Sequence, residues 1–593
     1  MSDPARRGQP GDSSMASRGK GRVVVEPFDY DGVRLLPGMF QEQVTKAREV
    51  YYAVPNEDIL KGFRQQAGLP APGKGMRGWA VKTCRGIFGQ LLSGMARMSR
   101  ATGDAPLRDK AITLLEGWKE TAGPDGDAKM RPYDWDKLTC GLVDVQRYAG
   151  YQALPVLEHT LPWAIRTFDR SRCSANEFDF QGIGPGGTSE WYTLPENLYR
   201  AYLLGGNNAF KEFADVWLYH EYWRPFAETS EPAEVLTLHA YSHVNSFSSA
   251  AMAYAVTGDE RYLRICINAY DFLQRTQCYA TGGFGPDERL MRPDGQLGKS
   301  LELYGYHAEI PCGSWAAFKL SRYLLTLSGE ARFGDWIETI MYNGMGPALP
   351  TQPDGHTYYY GDYRLSGGVK TFYWYEWPCC SGTYWQTVAD YHNVIYFRDA
   401  RGLYVNLFIP SEVTWQKDGQ QILLRQETKY PEEETTSLSL EMARPARFAL
   451  HVRVPGWSTG LSVIGPDGAS IDVHAEPGRW ATIEREWKNG DRLTLRIPMA
   501  WRMVPIDRQY PDRVAIMWGP VVMAQDEACC RRPFALEPGT ELSSRLVREG
   551  PGLRFRILNT LPERHTRYLQ PFYTIPGFWP YWVYFDLYAP PLY

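Results

Sequence analysis

The stretch SWAAFKLSRYLLTLSGEARFGDWIETIMYNG, Ser314–Gly344, reads as two helices joined at Ser328-Gly329-Glu330. In the first helix, polar Lys319, Arg322 and Thr326 form a narrow stripe at +3 and +4 spacing, and most other positions are apolar. A helix with so little wet surface is packed on several sides. Glycine ends a helix by taking a left-handed backbone without penalty, and a following Asp, Asn or Glu favours the start of the next. The same hinge recurs at Thr102-Gly103-Asp104, Gly205-Gly206-Asn207 and Thr257-Gly258-Asp259, each between two helical patterns. Repeated helical hairpins with broadly buried helices predict a solenoid or a closed α/α toroid. The intervals between hairpins are uneven, which leaves long loops, and loops at one rim are where a site belongs.

The hydrophobic period changes near residue 398. In RFALHVRVPGW, Phe448, Leu450, Val452 and Val454 alternate with Ala449, His451 and Arg453. In RLTLRIP, Leu493, Leu495 and Ile497 alternate with polar neighbours, and YVNLFIP and VAIMWGPVVMA also read as strands. Short strands between Gly, Pro and Asp turns predict a β-sandwich. The chain therefore divides into a disordered tail (1–22), a helical catalytic domain (23–397), a β-sandwich domain (398–500) and a second sandwich or C-terminal β module (501–593). The last segment, PGFWPYWVYFDLYAPPLY, is expected to add a final strand that packs back on the body.

With 593 residues, the chain has room for several domains. Its 64 basic and 68 acidic residues nearly balance, at a formal charge of -4, so nothing argues for nucleic acid or an anionic membrane as partner. No apolar run approaches the roughly 18–20 residues of a membrane span. The opening, MSDPARRGQPGDSSMASRGKGR, lacks the apolar core of a secretory signal, so a cytoplasmic location is expected. Ten scattered cysteines show no disulfide framework, which leaves reduced thiols for metal binding or nucleophilic chemistry. The 20 Trp and 38 Tyr fit large cores, and they also fit a carbohydrate site, where flat rings pack on the C–H faces of sugars.

Four features carry chemistry. Adjacent Cys379 and Cys380 in EWPCCSGTYWQTVADYHNVIYF precede a short helix that Thr383 is placed to cap, where the helix N-terminus favours thiolate. Two inert buried cysteines are the other reading. In ELYGYHAEIPCGSW, Glu309 and Cys312 lie three apart and complete a Cys3Glu set of the kind zinc accepts, with His307 as an alternative ligand or a hydrogen-bonding residue. In TGGFGPDERL, a Gly-rich turn presents Asp287 and Glu288, either as a solvated acid pair or as a general acid/base near the thiols. In LHAYSHVNSF, His239 and His243 share a helix face at i, i+4 spacing, as sugar contacts or as a structural pair.

The order of RGIFGQLLSGMARMSRATGD, EWYTLPENLYRAY, HAYSHVN, the TGG turn with its Glu, HAEIPC and PCCSGT resembles glycoside hydrolase family 127, the β-L-arabinofuranosidase-like family, over about Val23–Tyr593. The resemblance implies a multidomain α+β chain: an (α/α)6 barrel catalytic domain followed by β-sandwich domains. It implies a retaining exo-glycosidase that removes terminal β-L-arabinofuranose or a related sugar from plant-type glycans. By the resemblance, Cys379 is the nucleophile and Glu288 the acid/base. Glu309, Cys312, Cys379 and Cys380 hold Zn2+. His239 is a sugar-binding residue by the same resemblance, and His243, Gln90 and His307 are expected around the substrate with it. Gln90 stands where the family pattern carries a His, and Ile310 and Pro311 both separate Glu309 from Cys312, where one residue is the family habit. A toroid-fold polysaccharide lyase and a carbohydrate-binding protein with structural zinc are the alternatives. Sandwich surfaces often pair, which leaves a homodimer open.

Overall fold

The structure is a computed structural model that describes residues 19–173, 191–235, 237–303, 305, 307–348, 355–526, 533–536, 538–558 and 566–587. Most of the expected tail (1–18), Cys529, Cys530 and residues 588–593 of the expected last strand lie outside the described residues.

The hinges behave as their residues dictate. Gly103, Gly206, Gly258 and Gly329 all take left-handed φ, at 69°, 79°, 73° and 74°. After three of them the next residue caps the following helix: Asp104 accepts from the Leu107 amide at 3.1 Å, Asn207 from Ala209 at 3.0 Å and Asp259 from Arg261 at 2.9 Å. Glu330 does not cap; the chain turns further and the next helix, Phe333–Ile340, starts after Arg332.

The helices Arg85–Thr102, Pro132–Tyr148, Leu194–Gly205, Ala240–Thr257, Ile310–Ser328 and Cys379–Asp390 each pack on the next, and the last packs on the first. This closes an inner ring. Helices Ala105–Lys119, Leu154–Thr167, Asn208–Val216, Glu260–Thr276, Phe333–Ile340 and Met39–Ala53 each lie outside one inner member. The result is an (α/α)6 barrel. The polar stripe expected to be wet on Ile310–Ser328 is instead largely buried. Lys319 pairs with buried Glu196, which also accepts from the Tyr323 hydroxyl at 2.9 Å, and Arg322 lies 3.8 Å from Asp390. An inner helix has neighbours on every side, so its charges are satisfied by one another.

Behind the barrel, a five-stranded and a seven-stranded sheet form the sandwich. Two of their edge strands come from the chain's beginning: Glu26–Pro27 pairs with Tyr396–Arg398, and Val33–Leu35 pairs with Ser411–Lys417. Residues assigned from sequence to the barrel domain thus complete the sandwich. Strand Ala446–Arg453 is buried on both faces, against the half-wet alternation expected. His451 stacks on Tyr404 with ring centroids 4.1 Å apart, and Arg453 reaches back to Asp335 and to Glu338 at 2.9 Å. Those two acids sit on the outer helix Phe333–Ile340, so Arg453 ties the sandwich to the barrel. Arg453→Ala is expected to cost about 3–5 kcal/mol, because it strands the buried Glu338 carboxylate. Urea unfolding followed by tryptophan fluorescence reads this, and a loss below about 1 kcal/mol would show that the junction does not depend on the pair.

The third, eight-stranded sheet runs from Trp501–Pro505 to the short closing strands Tyr581–Trp582 and Tyr584–Asp586, which pair with Val521–Asp526 and Arg513–Trp518. It docks on the barrel through Asn343, which donates to the Pro520 carbonyl and accepts from the Val522 amide, each at 2.8 Å. It also meets a small sheet, Ala308–Glu309, Tyr358–Gly361 and Lys370–Phe372, at Gly368 and Tyr581. That small sheet holds the site. Among the described residues, no helix is long and apolar enough to cross a membrane.

Candidate active site and metal centre

Three inner helices begin at one rim of the barrel, and each starts on a residue singled out from sequence. His239 precedes Ala240–Thr257, Glu309 precedes Ile310–Ser328, and Cys379 opens its own helix. Their unpaired amides and aligned dipoles favour negative charge at this rim. Thr383 does not cap the cysteine helix. Pro378 fixes an extended approach, the helix starts a turn earlier, and Thr383 lies inside it with its hydroxyl 3.1 Å from Cys312 Sγ. Cys379 and Cys380 are therefore the first two residues of the helix. Their side chains diverge: Cys379 is partly exposed and Cys380 is buried.

The two residues between Glu309 and Cys312 are accommodated by a change of backbone. Glu309 ends a strand and Cys312 lies in the first turn of a helix, with Pro311 where a helix tolerates proline. The switch turns both side chains to one point. Donor atoms of Glu309, Cys312, Cys379 and Cys380 all lie within 4.8 Å of one another. Cys380 Sγ is 3.2 Å from Glu309 Oε1 and 3.2 Å from Cys312 Sγ, and Cys312 Sγ is 3.5 Å from Cys379 Sγ. Among the described residues, Glu309 Oε2 is buried without a hydrogen-bond partner.

The electrostatics are uneven. Hydrogen bonds from the Cys312 and Cys380 thiols hold Cys379 well below the usual thiol range, against its burial. Burial pushes the Cys312 and Cys380 thiols up. Burial also pushes the Glu309 carboxyl well up, and the charges of Glu288 and Cys379 add to this. Without a cation, the cluster thus concentrates its negative charge on Cys379. A divalent cation would displace the remaining protons.

Glu288 lies beside the cluster on a strained turn. It and Asp287 have φ of 57° and 53°, a region costly for non-glycine residues and typical of functional sites. The turn is anchored where Arg289 bridges to His239 and the Leu290 amide donates to the Leu238 carbonyl at 3.0 Å. Asp287 points to solvent. The Glu288 carboxylate accepts from the Tyr360 hydroxyl and lies 3.4 Å from His239 Nε2, which is 4.0 Å from Glu309 Oε2. His239 thus stands between the two carboxyls, with Nδ1 2.7 Å from Ser242 Oγ. Burial raises the Glu288 carboxyl, but hydrogen bonds from His239 and Tyr360 and the His239 charge outweigh it, and the group sits low.

The other expected sugar contacts are placed deeper. Gln90 is fully buried beside Gly382, where a Cβ would stand 2.2 Å from its Oε1, and neither amide atom has a hydrogen-bond partner among the described residues. His243 is also fully buried, with Nδ1 2.9 Å from the His239 carbonyl and burial pushing its pKa down to about 3. His307 accepts from the Tyr363 amide at 3.0 Å, and its Nε2 is 2.9 Å from the Ser300 carbonyl. The ring nitrogens of His243 and His307 are thus engaged by protein groups. Tyr359 and Tyr360 went unread in the sequence. Tyr359 places its hydroxyl 3.8 Å from Cys379 Sγ. The run TYYYGDY was a strand signal next to the cysteines in space, but nothing in its spacing showed that proximity.

The chain is thus a six-hairpin helical barrel with two acids and clustered thiols on one rim, and a β-sandwich and a further sheet behind it. The catalytic-domain model of the β-L-arabinofuranosidases of glycoside hydrolase family 127 matches residues 32–393, and the middle-domain model of that family matches residues 402–499. The chain belongs to this family and is a glycoside hydrolase, which sets aside the lyase and the non-catalytic binding protein. Among solved structures, it is similar to a GH127 β-L-arabinofuranosidase from Geobacillus stearothermophilus T6, at 19% identity and a TM-score of 0.71, over 93% of this chain and 99% of that one. A second structure, of a GH127 β-arabinofuranosidase, gives 18% identity and a TM-score of 0.74 over 95% of this chain and 98% of the other. No curated protein matches the chain.

Proposed function

We propose that the chain is a retaining exo-glycosidase that removes terminal β-L-arabinofuranose, or a closely similar sugar, from plant-type glycans, with Cys379 as nucleophile and Glu288 as acid and base. One observation carries this reading: a partly exposed thiol held low by its neighbours shares a rim with three further metal donors and a second carboxylate. Glu309, Cys312, Cys379 and Cys380 suit zinc, which takes thiolate and carboxylate together, and the unpartnered Glu309 Oε2 is the orphan such an ion would satisfy. Bound there, zinc supplies positive charge that keeps the thiols ionised and eases departure of the sulfur.

In the first step the Cys379 sulfur donates its electron pair to the anomeric carbon, the glycosidic C–O bond breaks, and Glu288 gives its proton to the departing oxygen. In the second, Glu288 takes a proton from water as the water oxygen displaces the sulfur, which leaves as thiolate. Two inversions give net retention. The neighbouring charges support the change of role. A thiolate at Cys379 opposes the His239 and Tyr360 contacts that hold Glu288 low, and so favours the proton that Glu288 must carry in the first step; once the sulfur is alkylated that opposition ends and the carboxylate form is favoured. Tyr360 and His239 then hold Glu288 as the base.

The stereochemistry tests this reading. Proton NMR of a fresh digest of a β-L-arabinofuranoside should show the β-anomer first; the α-anomer first would overturn the double displacement. In kcat/KM, which reports the first step, Glu288→Ala should lose roughly 10²–10⁴-fold on a methyl glycoside, and far less on a 4-nitrophenyl glycoside, whose leaving group needs no proton. Equal losses on both would remove Glu288 from the acid role.

A further inference from the structure

Beside the cluster, an aromatic wall runs from the reacting atoms to the surface. Tyr359, with its hydroxyl 3.8 Å from Cys379 Sγ, packs at 4.4 Å between ring centroids on Tyr360, whose hydroxyl holds Glu288. Outward, Tyr359 meets Tyr373 at 4.7 Å, and Tyr373 meets Trp79 edge-on at 5.0 Å. Exposure climbs along the wall, from 3% at Tyr359 to 48% at Trp79.

The outer end is held in place. The Trp79 amide donates to the Glu376 carbonyl at 3.0 Å, just ahead of the cysteine helix. Gly78 has φ +59, and a Cβ there would lie 2.0 Å from the Glu376 carbonyl oxygen, so only glycine permits this approach. A large ring on a clamped loop, half in water and continuous with a reaction centre, marks a place that a ligand covers.

We infer that Trp79 and Tyr373 bind the sugar ring on the leaving-group side of the scissile bond, so that the natural substrate carries its terminal furanose on another sugar. This rests on the reading of Cys379 and Glu288 above. With those two groups at the inner end of the wall, a terminal sugar reacting there directs its aglycone outward along Tyr373 towards Trp79. Flat rings cover the C–H faces of a sugar and leave its hydroxyls to water.

The test compares Trp79→Ala and Trp79→Phe with wild type on two probes, methyl β-L-arabinofuranoside and a β-L-arabinofuranosyl disaccharide. Trp79→Ala should lose about 10- to 100-fold in kcat/KM on the disaccharide, the scale of one buried aromatic contact, and stay within about twofold on the methyl glycoside. Trp79→Phe should recover much of the loss. Equal effects on both probes, or none on either, overturn the inference. So does a shift from dimer to monomer in Trp79→Ala, by sedimentation, with both rates unchanged, since a second copy would then cover the wall. Calorimetric titration with the disaccharide separates this inference from the reading beneath it. If wild type binds but does not cleave, and Trp79→Ala fails to bind, the wall stands and the catalytic assignment falls. If wild type does not bind the disaccharide, the wall falls too.

Discussion

Cys379→Ala should reduce kcat on a β-L-arabinofuranoside by roughly four to six orders of magnitude, the scale seen when a covalent nucleophile is removed, and leave the fold intact. The size follows from the site. Cys379 is the partly exposed sulfur of the cluster, while Cys312 and Cys380 are fully buried, so neither is placed to take over the attack. Glu309 is no substitute, because it is buried among the metal donors. The fold should tolerate the change. The Cys379 side chain makes long sulfur contacts, at 3.5 Å to Cys312 and 3.8 Å to Tyr359, and its backbone position opens a helix that alanine favours. Cys379→Ser is the sharper control. It keeps a small hydroxyl in place, but a serine hydroxyl ionises far less readily than a thiol and is a weaker nucleophile, so it should be nearly as inactive. A circular dichroism spectrum close to wild type, with turnover lost well beyond the loss in Cys380→Ala, would assign the nucleophile; the melting temperature should fall in both variants, because each removes one metal donor. Turnover within tenfold of wild type in the alanine variant would refute it.

How far the sequence revealed this arrangement depended on whether a local rule governed the residue. The Gly-Asp and Gly-Asn hinges were legible because left-handed glycine and side-chain capping are decided within a few residues. The Cys3Glu set was legible because two motifs 67 residues apart offered the donor types zinc takes, each at the start of a helix, although nothing in their spacing required them to meet. Lys319 and Arg322 were misread as a wet stripe, because a helix pattern does not say whether polar groups face water or one another inside a ring. The strands Glu26–Pro27 and Val33–Leu35 are too short to show a period, and their partners lie some 370 residues away, at Tyr396–Arg398 and Ser411–Lys417. Thr383 looked like a cap by residue type, but Pro378 had already set the helix start. His243 and His307 showed their residue type but not their depth, because burial is decided by distant elements.

Cys380→Ala tests the metal centre through a readout independent of turnover. In wild type, elemental mass spectrometry should find about one zinc per chain, and in Cys380→Ala close to none, because removing one of four donors forfeits most of the affinity of a thiolate site. The variant should also melt well below wild type. A bound ion stabilises the native state by an amount that grows with the ratio of its free concentration to its dissociation constant, about 4 kcal/mol at a thousandfold excess. The metal-free alternative predicts something much smaller. Cys380 would then be an ordinary buried thiol, and trimming it to alanine would remove one sulfur from a packed site for about 1 kcal/mol. Wild type treated with a chelator should fall to the melting temperature of the variant, while the variant should not respond to chelator at all. That convergence separates lost metal from lost packing, because a cavity at position 380 destabilises whether or not chelator is present. Zinc retained in Cys380→Ala at the wild-type level would take this sulfur out of the donor set and leave Glu309, Cys312 and Cys379 to hold the ion between them.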